Sequence, residues 1–199
     1  MRSTRFAAVA ALVTVTACAP SDDTAATLEA DTVATTGTAD TGAAVDATFA
    51  MAELRDTEGR LVATATLRQE DDGVRIGLDA QGLQPGEHGI HIHAVGQCDP
   101  GGESPFSSAG PHLNPDNAQH GLENPQGPHA GDLPNLEVGD DGTAQYDETT
   151  DRFTLGPGPR SLFDADGSAL VLHAAPDDMT TDPSGSSGAR IACGVIERQ

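Results

Sequence analysis

Histidines occur in this chain at positions 88, 91, 93, 112, 120, 129 and 173, and nowhere else. His91-Ile92-His93 is the sharpest local pattern. On a strand, residues i and i+2 project from one face, so both rings can meet a single ion. Taken alone, such a pair arises often by chance. His88 has the opposite parity and should turn away from that ion, as a hydrogen-bonded structural histidine. His112, His120, His129 and Asp132 fall in one stretch. Three imidazoles and a carboxylate are the donor set of a closed tetrahedral zinc site; taken singly, they are solvated loop side chains. His173 ends an apolar run, Ala169 to Leu172, where a lone histidine is more often part of a core than a ligand.

These side chains need a scaffold, and the runs around them alternate with period two. Thr48 to Leu54, Leu61 to Leu67, Val74 to Leu78, Ile90 to His93, Leu136 to Val138, Thr143 to Tyr146, Ser168 to His173 and Ala189 to Ile196 read as strands. Turns such as Asp71-Asp72-Gly73 and Asp140-Asp141-Gly142 separate them. That pattern predicts an all-β fold, an eight-stranded Greek-key β-barrel or sandwich. No helical period and no internal repeat is present. Two stretches break the alternation: residues 96–135, which are 40 residues rich in Pro, Gly and Asn, and residues 174–189. A loop of the first length inside a compact domain is functional or disordered, and a bound metal would hold a loop that has no core of its own.

Composition narrows the options further. The 199 residues are 37% hydrophobic but only 3% aromatic, enough for one modest core of Val, Ile, Leu and Ala and not for a two-domain enzyme with a deep aromatic pocket. Acids outnumber bases 31 to 10, a formal charge of -21, and every basic residue is Arg. Lysine chemistry is thereby excluded, and a nucleic-acid partner is not expected, because phosphate binding needs a basic footprint. Residues 1–17 read as a signal peptide: Arg2 and Arg5 precede Phe6 to Val15, a ten-residue uncharged run. That run is well short of the roughly 20 residues that span a bilayer. Val15-Thr16-Ala17-Cys18 resembles the bacterial lipoprotein cleavage box, which implies cleavage before Cys18 and lipid on its thiol. Of the 28 residues at 19–46, 21 are Ala, Thr, Asp or Glu, so residues 18–46 are expected to form a disordered acidic tether behind the lipidated cysteine. The folded domain is then 47–199.

Over that domain the chain resembles the copper,zinc superoxide dismutase family. The resemblance is carried by Gly86-Glu87-His88-Gly89-Ile90-His91-Ile92-His93, by Ser108-Ala109-Gly110-Pro111-His112-Leu113-Asn114-Pro115, and by His120, His129 and Gly131-Asp132-Leu133-Pro134-Asn135. Leu170-Val171-Leu172-His173, Asp177-Asp178 and Gly188-Ala189-Arg190-Ile191-Ala192-Cys193-Gly194-Val195-Ile196 complete it. Each piece is weak alone; their order and spacing are specific. The resemblance implies dismutation of superoxide to oxygen and hydrogen peroxide. It implies copper on His91, His93, His112 and His173, and zinc on His112, His120, His129 and Asp132. His112 would bridge the two metals as imidazolate and carry a proton. Asp177 would link His91 to His120 from outside the metals, and Arg190 would bind the substrate anion.

The resemblance also implies a Cys98–Cys193 disulfide, which an exported protein permits. Closing a loop of about 95 residues is worth about 4–5 kcal/mol in the chain-entropy model. Some features depart from the family pattern. The segment from His93 to Cys98 is short and that from Cys98 to His112 long, as in bacterial exported members, which leaves the geometry of any homodimer open. The 174–189 loop carries Asp177, Asp178 and Asp182 and no basic residue. Many relatives place an anion-attracting Lys there. A copper-binding or copper-buffering lipoprotein on the same fold is the rival expectation, and an adhesive sandwich module leaves the histidines unexplained. The expected location is the bacterial cell envelope, on a membrane through the N-terminal lipid.

Overall fold

A computed structural model describes residues 48–102 and 104–199. The expected signal peptide, the expected tether with Cys18, and Ala47 lie outside the described residues. Ten strands are present: β1 (Phe49–Asp56), β2 (Leu61–Glu70), β3 (Gly73–Ala80), β4 (Gly86–His88), β5 (Ile90–His93), β6 (Leu136–Val138), β7 (Ala144–Thr150), β8 (Ala169–His173), β9 (Arg190–Val195) and β10 (Glu197–Arg198). Eight of them fall on the eight expected runs. The two additional strands are short continuations: β4 runs into β5 across Gly89, and β10 follows β9 across Ile196. A single 3₁₀ turn, Ser107–Ala109, is the one helical element among the described residues.

All pairings between these strands are antiparallel, in the order β5-β8-β9-β1-β2-β3-β7, with β10 also on β1 and with β4 paired to β6. β6 also packs beside β7, so the sheet curls into a half-barrel. The 96–135 loop joins β5 to β6, and the 174–189 loop joins the neighbouring strands β8 and β9.

Alternation explains the core. In β3, Val74, Ile76 and Leu78 are buried while Arg75 and Asp79 face solvent. Leu54, Leu67, Ile76, Ile90, Ile92, Leu170 and Leu172 fill the interior of the curl together with Leu133, Leu136, Leu155 and Leu162. β5 and β8 break the rule, because every residue in both is buried. Their inward residues join the main core. The outer face of β8, with Ala169 and Val171, packs on Phe106, Ala109 and Cys193. The long loops therefore cover this part of the sheet, and the histidines on β5 lie under them.

Main-chain hydrogen bonds hang the 96–135 loop on β5. Ile92 N–H donates to Gly131 O, Gly131 N–H to Leu113 O, and Leu113 N–H to Ile92 O, each at 2.9 Å. Any side chain at 131 would put its Cβ into the Ile92 carbonyl, so this closure needs glycine. The disulfide joins Cys98 to Cys193, pinning the start of the loop to β9.

Candidate metal centre

This lacing brings His91 opposite Asp132 and His93 opposite His112. A register shift between Leu172 and His173 sets His173 across from Arg190 on β9. The result is two clusters sharing one ring: His91, His93, His112 and His173, then His112, His120, His129 and Asp132, each with potential ligand atoms within 4.8 Å of one another. All seven side chains are buried.

The outward nitrogens are all accounted for in the first cluster. His91 Nε2 donates to Asp177 at 2.7 Å, His93 Nδ1 to Gly110 O at 2.9 Å, and His173 Nδ1 to Gly188 O at 3.3 Å. Carbonyl and carboxylate oxygens only accept, so each outward nitrogen carries the hydrogen and the inner one keeps its lone pair. The inner atoms, His91 Nδ1, His93 Nε2, His112 Nε2 and His173 Nε2, are buried and have no hydrogen-bond partner. His129 Nδ1, in the second cluster, is likewise unpartnered. Buried polar atoms are paired as a rule. Five unpartnered imidazole nitrogens gathered in two clusters are an arrangement that could hold two cations.

In the second cluster, Asp132 Oδ1 lies 2.9 Å from His112 Nδ1, 3.0 Å from His120 Nδ1 and 3.4 Å from His129 Nδ1. Its other oxygen accepts the Gly121 and His129 N–H groups at 2.8 and 2.9 Å. Three imidazole nitrogens and one carboxylate oxygen fit zinc, and four imidazoles fit copper. His112 presents Nε2 to one set and Nδ1 to the other, so seven residues supply two four-donor sites.

Electrostatics keep His93, His112, His173 and Asp132 in ligand form. Burial, reinforced by neighbouring histidines, pushes His112 down to about 4 and His173 to about 3, and holds His93 well below its usual value. These rings are neutral at pH 7. Burial also acts against ionising Asp132 and Asp177, but hydrogen bonds from the imidazoles and from backbone N–H groups outweigh it. Both carboxyls sit below the usual carboxylate range. In the metal-free protein His120 is carried the other way, up to about 9, because Asp132 and Asp177 overcome its burial.

Asp177 bridges the clusters from outside, accepting from His91 Nε2 and, at 3.0 Å, from His120 Nε2. Its own backbone is clamped by Asn135: Asp177 N–H donates to Asn135 Oδ1 at 2.8 Å, and Asn135 Nδ2 to Asp177 O at 3.0 Å. His88 turns away as expected, its ring nitrogens 2.7 Å from His173 O and 2.9 Å from Gln84 O. Arg190 is partly buried, and its Nη1 and Nη2 donate to Phe106 O and Gly110 O, each at 2.6 Å. Gly110 O also receives His93 Nδ1, so one carbonyl ties the guanidinium to the first cluster. A cleft lined by Ser104, Pro105, Ser107, Gly188 and Ala189 opens at Arg190. A larger hollow, about 550 Å³, lies beside the disulfide among Met51, Arg55, Pro100 and Glu197. It touches none of the histidines, and a diatomic anion needs only a narrow opening.

Two contacts have no counterpart in the sequence analysis. Arg152 Nη2 donates to Asp132 O at 2.5 Å, and Asn135 clamps Asp177. Asn135 ends the Gly131-Asp132-Leu133-Pro134-Asn135 motif, whose spacing gives no sign of this contact. Arg152 follows β7 with no local signal, since its partner is 20 residues earlier on a segment without periodicity.

Fold and site together define a β-barrel protein with a paired histidine metal centre. Residues 61–196 match the family model described as copper/zinc superoxide dismutase (SODC). The chain is 47% identical over 149 residues to the copper-zinc superoxide dismutase 2 of Aquifex aeolicus, covering 74% of this chain and 85% of that protein. Among solved structures, a SOD-like protein from Bacillus subtilis superposes with a TM-score of 0.68 at 41% identity, covering 73% of this chain and 96% of that one. The copper/zinc superoxide dismutase from Brucella abortus does so with a TM-score of 0.62 at 29% identity, covering 75% and 99%. The chain belongs to the copper/zinc superoxide dismutase family.

Proposed function

We propose that the protein converts superoxide and protons to oxygen and hydrogen peroxide, with copper on His91, His93, His112 and His173 and zinc on His112, His120, His129 and Asp132. The observation that carries this assignment is the set of buried, unpartnered inner nitrogens in a chain that belongs to the family. When bound, copper supplies the one-electron chemistry that oxidises one superoxide and reduces the next, and zinc supplies a fixed positive charge.

The chain's own residues do the rest. Arg190, held by two carbonyls, binds the anion beside His173. His112 can take a proton at Nε2 while Nδ1 stays turned toward Asp132, and return it when the peroxide forms. Asp177 and the Gly110 and Gly188 carbonyls keep His91, His93 and His173 in one tautomer and orientation, so the donor set does not rearrange between oxidation states.

A second reading, a copper-binding protein of the same fold without dismutase activity, is favoured by the similarity to a relative described only as SOD-like. Metal analysis together with a superoxide-decay assay on the purified protein separates them. One copper, one zinc and rapid decay is the expected result. Bound copper with no acceleration of decay would establish the second reading.

We also propose export and lipidation at Cys18, giving a cell-envelope protein tethered through 18–46. The support is Val15-Thr16-Ala17-Cys18 behind a short charged and apolar start. One acyl chain anchors only marginally, whereas several are stable. Mass spectrometry of the mature N-terminal peptide should therefore show several acyl groups, and Cys18→Ser should release an intact domain from membranes. Recovery of unlipidated wild-type protein cut at another position would overturn the assignment.

A further inference from the structure

The 174–189 loop carries three acids and no base, although a loop bordering the path of an anion gains nothing from negative charge. Asp177 is spent on His91 and His120. Asp178 closes its own turn, accepting the Thr180 and Thr181 N–H groups at 3.0 and 2.7 Å. Asp182 reaches across to the other loop. Its Oδ1 accepts the His120 backbone N–H at 2.7 Å and lies 3.7 Å from His129 Nε2.

Every other non-bridging histidine of the two clusters has an oxygen acceptor on its outward nitrogen: Asp177 for His91 and His120, Gly110 O for His93, Gly188 O for His173. His129 is the one left over. Its Nδ1 is the unpartnered inner atom, so its Nε2 carries the hydrogen when Nδ1 is a ligand, and that nitrogen faces Asp182. The two loops are zipped at the same place. Glu123 N–H donates to Met179 O at 3.0 Å, Asn124 Nδ2 to Thr180 O at 3.2 Å, and a side chain at Gly121 would collide with the Met179 carbonyl.

Resting on the zinc assignment above, we propose that Asp182 is a positioning residue of the zinc site: its carboxylate orients His129 through Nε2 and fixes His120 through its main chain. The acid in this loop thus serves zinc retention. Carboxylates that orient metal-bound imidazoles are worth about 10–100-fold in metal affinity. Asp182 has half its side chain exposed, so the low end applies.

The test uses the full chain as wild type, Asp182→Asn and Asp182→Ala. Zn(II) affinity is measured by competition with a chromophoric chelator, and thermal unfolding is recorded for metal-free and zinc-loaded protein. Asparagine can still accept the His120 N–H but brings no charge to His129. The expected result is zinc affinity about 10-fold lower in Asp182→Asn and lower still in Asp182→Ala, with the metal-free Tm of Asp182→Asn unchanged. Wild-type affinity in both variants would overturn the proposal. So would a loss confined to Asp182→Ala, or a metal-free Tm that falls as far as the zinc-loaded one, since either would make Asp182 a loop tie alone. Wild type that takes up no zinc would instead overturn the zinc assignment and this inference with it, an outcome visible before any variant is compared.

Discussion

Asp132→Ala should empty the zinc site while leaving most of the copper in place. Asp132 is fully buried, and its two oxygens face three imidazole Nδ1 atoms and two main-chain N–H groups. Alanine removes the only carboxylate among the four proposed zinc donors and leaves the Gly121 and His129 N–H groups without their carboxylate acceptor. Outer partners of a metal ligand are worth about 10–100-fold in affinity, so loss of the ligand itself should cost at least about 100-fold. The proposed copper set shares only His112 with this site.

The same change should lower stability. Removing one member of a buried charged network costs about 3–5 kcal/mol. For a domain of this size 1 kcal/mol moves Tm by about 2–4 °C, so the zinc-loaded comparison should show a fall on the order of 10 °C. Zinc binds only the folded loop, so wild type should lose stability when zinc is withdrawn. Metal content by elemental analysis and unfolding with and without zinc check both parts. Equal stability of zinc-free and zinc-loaded wild type would remove zinc from the forces holding the 96–135 loop.

Arg190→Glu should slow superoxide decay by about 10-fold or more, within the 10–10³ range of electrostatic steering for which this enzyme class is itself a standard example. From residue 47 onward the chain holds 25 acids against 8 arginines, a net of -17, so the average field repels the anion. Arg190 is the single basic residue between 161 and 197. Among the described residues no carboxylate pairs with it; its partners are the Phe106 and Gly110 carbonyls, which leave its charge uncancelled.

The salt response is the more particular part of the prediction. Screening weakens the distant repulsion as well as the attraction of Arg190. The wild-type rate should stay flat or rise slightly from low to physiological ionic strength. Pulse-radiolysis or stopped-flow decay across a salt series reads this directly. A steep fall with salt would mean that the surface draws superoxide inward through other charges.

The grouping of most of the clustered side chains was legible in the sequence for a physical reason. A His-x-His pair on a strand must share a face, and His112, His120, His129 and Asp132 lie in one stretch with no periodicity and no core of its own, whereas His173 ends the apolar strand β8 and joins them only through the fold. The eight strand runs were legible too, because burial on one face imposes alternation. What alternation cannot say is whether the other face is covered. β5 and β8 are buried on both sides only because loops distant in sequence fold over them, and this burial dries the histidines and holds His93 and His173 below their usual pKa.

The tertiary structure alone decided which nitrogen of each ring points inward. That choice is set by acceptors many residues away: Gly110 O for His93, Gly188 O for His173, and Asp177, 86 residues from His91. It also decided that Arg190 rests on two carbonyls, that Arg152 holds the main chain of Asp132, and that Asp182 turns toward His120 and His129. Main-chain carbonyls are the same in every residue, so their roles leave no mark in the sequence. Only closure of the loops gives them direction.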